Sequence, residues 1–130
     1  MCELKSRDFE SGTLIAKRLL AGGVPVVIGQ RWSIVENLVR GAPRGAVLFR
    51  TCNVLQLVDI ERCADHIVIA MDEEGLPFAG DAFLDNLDGR ALKHSAVFCA
   101  QDDRVRRIVL ERFPGAKVRV TGNPRIDLLK

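Results

Sequence analysis

Five short runs of this chain are apolar nearly throughout: VPVVIG at 24–29, AVLF at 46–49, HIVIAM at 66–71, AVFCA at 96–100 and VRVT at 118–121. A strand with one wet face alternates apolar and polar residues, because successive side chains point to opposite faces. Runs that barely alternate predict strands covered on both faces, which is the habit of parallel sheets. Parallel neighbours need a crossover of about a dozen residues or more. The intervals between these runs are long enough to supply one.

The intervals carry a helical period. SIVENLVRGAP begins with Ser33 and places Glu36 three residues on, the pattern of a capping box. Ile34, Val35, Leu38 and Val39 make one apolar stripe, and Gly41 and Pro43 end it. In DDRVRRIVLERFPG, Val105, Ile108, Val109 and Phe113 share a face. Asp102 and Asp103 suit the positive end of that helix dipole, and Arg112 the negative end. GTLIAKRLLAGG predicts a third helix, with Ile15, Ala16, Leu19 and Leu20 inward and Gly22–Gly23 as its stop. Residues 53–64 predict a fourth. The order is β-α-β-α-β-α-β-loop-α-β-α-β. That is an α/β fold with a Rossmann-like open parallel sheet and helices on both faces. Its first strand would have to be the stub MCEL.

Composition excludes several functions. The net charge of +2 is too small to suggest nucleic acid, and a chain with no tyrosine and one Trp has no stacking surface for bases. No apolar run approaches the ~18 residues of a membrane span. Glu3, Lys5, Arg7 and Asp8 interrupt any signal peptide, so a cytoplasmic location is expected. Cys2, Cys52, Cys63 and Cys99 are widely and irregularly spaced, and only two histidines accompany them. Neither zinc nor any other metal is expected, and Cys63 and Cys99 read as small core residues.

Ligands of open parallel sheets bind outside the carboxyl ends of the strands. Here those ends are followed by KSRD, GQRW, RTCN, DEEG, QDD and GNPR. Asp72, Glu73 and Glu74 stand out, because three adjacent carboxylates after a buried strand repel one another unless solvated or used. A carboxylate there can act as a general base or a nucleophile, and Gly75 permits a sharp turn. The plain alternative is a solvated loop that caps the next helix. KSRD and TGNPR have equally plain alternatives, a helix start and a turn. Neither G-x-G-x-x-G nor G-x-x-x-x-G-K-[ST] is present, which argues against a dinucleotide dehydrogenase and a phosphate-loop enzyme. A phosphoreceiver domain would need acids and a lysine where KSRD, RTCN and QDD stand.

Taken together, ELKSRDFESGTLIAKRLLAGGVPVVIG, HIVIAMDEEGL and VRVTGNPRIDLL resemble the N-terminal half of bacterial surface carbohydrate biosynthesis proteins. These are glycosyltransferases with two Rossmann-like domains, the GT-B architecture. The TGNP turn is also similar to the interdomain junction of nucleotide-sugar 2-epimerases. The resemblance covers almost the whole chain, with two departures: the family's first strand is longer, and its donor domain has no counterpart in these 130 residues. It implies an acceptor-side domain over residues 1–121 and the start of an interdomain hinge over 122–130. It implies a nucleotide-sugar donor and a glycan acceptor as partners, and no cofactor or metal. Glu73 or Glu74 would be the catalytic carboxylate, since a Glu reaches farther than Asp72. Lys5 and Arg7 would attract an anionic sugar or phosphate, and Ser6 between them would join the substrate-binding residues. Gly75 and Asn123 would shape the site, and Arg125 would meet a donor phosphate. Work at the inner face of the cytoplasmic membrane, and self-association through the exposed interdomain face, are further expectations. A 2-epimerase relative and a non-catalytic α/β partner-binding module are the alternatives.

Overall fold

The computed structural model of the chain describes residues 5–71 and 82–127; the side chains of residues 5–8, 82, 83, 125 and 127 lie outside that description. Helix α1 spans Lys5–Ala21 and α2 spans Arg31–Val39. Strand β1 (Ala46–Phe49), α3 (Val54–Arg62) and β2 (Ile67–Met71) follow. A 3-10 turn at Ala82–Asn86 leads into α4 (Gly89–His94) and β3 (Val97–Ala100). The chain continues through α5 (Asp103–Arg112), β4 (Val118–Val120) and α6 (Pro124–Asp127). The four strands form one open sheet in the order β1-β2-β3-β4, and every pairing is parallel. This is the Rossmann-like α/β fold expected from the sequence.

The register explains the apolar runs. Phe49, Ala70, Phe98 and Val118 lie in one row across the sheet. Val47, Phe49, Val68, Ala70, Phe98 and Ala100 share a face and are buried. Against them pack Leu57 and Ile60 of α3, Ala91 and Leu92 of α4, and Val105 and Val109 of α5. On the opposite face Leu48, Ile69, Val97 and Cys99 are half-buried and Met71 is buried. Both faces therefore favour apolar residues, and alternation is lost.

Helix ends follow local chemistry at most sites. Asn53 caps α3 by accepting from the Gln56 amide, and Asp102 caps α5 by accepting from the Val105 amide. Gly23 and Gly41 stop α1 and α2 with φ of 77° and 105°, a region costly for any residue with a Cβ.

Three expectations are corrected. VPVVIG at 24–29 forms no strand, and Val27 is 82% exposed. Pro25 removes a ladder donor there, and strand-forming residues make a strand only when a neighbour pairs with them. The stub MCEL lies outside the described residues. Ser33 does not cap α2. The helix begins at Arg31, its cap position is Gln30, and the Ser33 carbonyl accepts from Asn37 Nδ2 at 2.7 Å. The added turn is held by tertiary contacts. Arg31 Nε lies 3.3 Å from Asp59 Oδ2, and its guanidinium sits over the Trp32 ring at 4.3 Å. Arg62 extends the link by pairing with both Asp59 and Glu36. Finally, Ala16 of α1 is buried, but Leu19 and Leu20 are exposed, as is Val39 of α2. Among the described elements α1 packs chiefly against the short α6.

Asp88 makes a testable joint. Its amide donates to the Cys52 carbonyl at 2.8 Å, and its Oδ1 accepts from the amides of Arg90 and Ala91. The Arg90 side chain, 3.0 Å from Oδ2, holds this carboxyl below its ordinary value. Asp88→Ala is expected to cost about 1 kcal/mol near neutral pH. Because the folded pKa is depressed, the contribution is present above the unfolded carboxylate pKa and is lost as pH falls through the folded value. Denaturant titrations of both proteins should therefore converge in strongly acidic buffer. A gap that stays constant across that range would contradict this account.

Candidate site at the carboxyl edge of the sheet

All four strands run the same way, so Phe49, Met71, Ala100 and Val120 end on one edge. The chain there continues as Arg50–Asn53, Asp72–Gly75, Gln101–Asp103 and Thr121–Pro124. Three polar residues of the described part of this edge are buried. Arg50 is 9% exposed and Asn123 is 3% exposed, and Thr51 is buried beside Arg50. Such residues are mostly found in water unless something holds them.

The backbone of the edge is fixed from several sides. Asn53 and Asp102 are spent on helix caps. The Thr121 amide donates to the Ala100 carbonyl at 2.9 Å, which extends the pairing of β3 and β4 past the last strand residue. Gly122 takes φ 81°, so the TGNP turn needs its glycine. The Asn123 carbonyl then accepts from the Ile126 amide at 3.0 Å, within the first turn of α6. Beside α3, Asn53, Val54, Leu55 and residues 85–88 line a cleft of about 200 Å³. A larger depression of about 510 Å³ lies along one face of α5, at Asp103, Arg106, Arg107, Leu110 and Glu111. It is the outer surface of a single helix and includes, of the segments that follow the strands, Asp103 alone.

Of the residues singled out in the sequence, only Asn123 has a described side chain. Asp72, Glu73, Glu74 and Gly75 lie outside the described residues, as do the side chains of Lys5, Ser6, Arg7 and Arg125. The backbones of Lys5, Ser6 and Arg7 form the first turn of α1, and Arg125 sits in α6. The strand that leads to the acids is described. β2 is paired on both sides, and its last residue, Met71, is buried and registers with Cys99. Three polar residues of this edge were not singled out: Arg50, Thr51 and Gln101. Their only signal in the sequence is position, directly after an apolar run.

Burial disfavours the reactive thiolate form of the cysteines. Burial pushes the Cys52 thiol up to about 11, only partly offset by its contact with Ser95 Oγ at 3.8 Å. It stays protonated at neutral pH, and only the thiolate attacks. Burial also raises Cys63 and Cys99. Cys63 is fully buried, as a core residue should be, whereas Cys99 is half-buried. No cluster of three or more His, Cys, Asp or Glu side chains suited to a metal occurs among the described residues. No described helix is long and apolar enough to cross a membrane.

No protein-family model, curated protein or solved structure significantly matches this chain.

Proposed function

We propose that this domain is the acceptor side of a metal-independent glycosyltransferase of surface-polysaccharide assembly. It would work in the cytoplasm at the inner face of the membrane. One observation carries the reading. The strand preceding Asp72–Glu74 is internal and parallel on both sides, so the acids follow from the middle of the edge where such sheets bind ligands. A glycan hydroxyl lies over that edge. Glu73 or Glu74 deprotonates it as its oxygen displaces the nucleotide from the anomeric carbon, or first displaces the nucleotide itself and then yields the sugar to that oxygen in a retaining reaction. Lys5 and Arg7 attract anionic groups, and Arg125 meets a donor phosphate near the hinge. A nucleotide-sugar-binding domain completes the site.

The assay places this domain in one chain with such a donor domain and follows nucleotide release from a nucleotide sugar. Release that depends on added glycan is the expected result. Turnover without any glycan points to the 2-epimerase chemistry instead. No turnover under either condition, from a folded protein, leaves the non-catalytic reading. That reading has its own support in the exposed Val54, Leu55 and Val58 on the outer face of α3.

A further inference from the structure

Gln101 is the first residue after β3, a strand paired on one side with β2 and on the other with β4. Its side-chain oxygen Oε1 is buried and accepts no hydrogen bond among the described residues. A buried acceptor gives up its water and gains nothing in return, so folded proteins rarely leave one unpaired. The neighbouring backbone cannot easily move to relieve it. Asp102 Oδ1 holds the Val105 amide at 2.8 Å on one side, and the Ala100 carbonyl holds the Thr121 amide at 2.9 Å on the other. Within the sheet, Gln101 follows the strand next to β2, whose end leads directly into Asp72–Glu74.

We propose that Gln101 is a specificity-determining residue whose Oε1 accepts a hydrogen bond from a hydroxyl of the sugar acceptor. The inference rests on the acceptor-side reading above and adds a residue to it. The chemistry is selective. An amide oxygen needs a donor, and sugar hydroxyls are donors. A fully ionised phosphate offers none, so the Oε1 atom favours a hydroxyl over the phosphates of a nucleotide donor. Backbone held on both sides leaves only the side chain to adjust when the sugar arrives, which lowers the ordering cost of binding.

An unsatisfied polar group kept for a ligand has a signature that a structural one lacks: removing it stabilises the empty protein. Gln101→Met keeps the length of the side chain and deletes both polar atoms. Gln101→Glu keeps an acceptor oxygen. The probes are methyl glycosides of common hexoses, titrated into the domain while its amide resonances are followed by NMR, with melting temperatures measured in parallel. Gln101→Met should raise Tm by about 2–6 °C and weaken glycoside binding about tenfold. Gln101→Glu should keep binding within about threefold of the parent. A fall in Tm for Gln101→Met overturns the proposal, because the amide then has a structural partner. Unchanged glycoside binding in a stabilised Gln101→Met also overturns it, while leaving the acceptor-side reading intact. If no glycoside binds the parent, both fail together.

Discussion

In a transferase that carries this domain, one of the substitutions Glu73→Gln and Glu74→Gln is expected to lower turnover by about two to four orders of magnitude, and the other to be mild. That scale is what losing a general acid or base costs. The asymmetry comes from backbone geometry. Adjacent residues of an extended segment point to opposite sides, so two acids on such a segment would present only one of them to the acceptor. The other is left to cap a helix, to bond the backbone of the Gly75 turn or to orient its neighbour. Losing such a cap costs about 1 kcal/mol of stability and spares the chemistry. Turnover and Tm measured on both variants separate these roles. A folded but inactive variant identifies the catalytic carboxylate. Near-normal turnover from both would mean that the three acids are a solvated loop.

The second large effect belongs to the fold. Phe98→Ala is expected to destabilise the domain by about 3–5 kcal/mol. Phe98 is 1% exposed on β3, in one row with Ala70 on β2 and Val118 on β4. Its ring belongs to the core that α3, α4 and α5 close over the sheet, so truncation leaves a cavity that the paired strands cannot collapse into. For a domain of this length the loss amounts to a fall in Tm of about 10–20 °C. Against a total stability of about 5–15 kcal/mol, it brings the protein close to unfolding at ambient temperature. Leu55→Ala is the control. Leu55 is 79% exposed, and its removal should change stability by no more than about 0.5 kcal/mol. Equal effects from the two would contradict the assigned sheet.

The sheet was legible because both of its faces are apolar. AVLF, HIVIAM, AVFCA and VRVT could be read as parallel strands from the loss of alternation alone. VPVVIG met the same criterion and failed. Strand propensity is local, whereas a strand exists only through a partner, and Pro25 weakens the one it would need. Helix starts divided in the same way. The Asp102 cap involves residues three apart, so it could be seen. The start of α2 depends on Arg31 meeting Asp59 from another helix, and no pattern around residue 31 announces that contact. Leu19 and Leu20 repeat the lesson: their period was helical, but what lies opposite a helix is decided by tertiary packing.

The site was legible as an edge and much less as a set of residues. Strand direction and order put the carboxyl ends of β1, β2, β3 and β4 on one edge. Charge drew the eye to Asp72, Glu73 and Glu74, and to Lys5, Arg7 and Arg125. The described structure adds residues that charge could not flag. Thr51 and Gln101 are neutral, and the significance of Arg50 lies in its burial, which depends on the whole fold.

The central claim, that a sugar acceptor binds over the carboxyl edge of the sheet, is tested most directly by NMR of the isotope-labelled domain titrated with glycan oligosaccharides. The account predicts amide shifts confined to residues 50–53, 72–75, 101–103 and 121–123. Shifts gathered instead at the opposite edge, around Gly41–Gly45, Asp65–His66 and Gly115–Lys117, would contradict it, as would a glycan panel that leaves every amide unmoved.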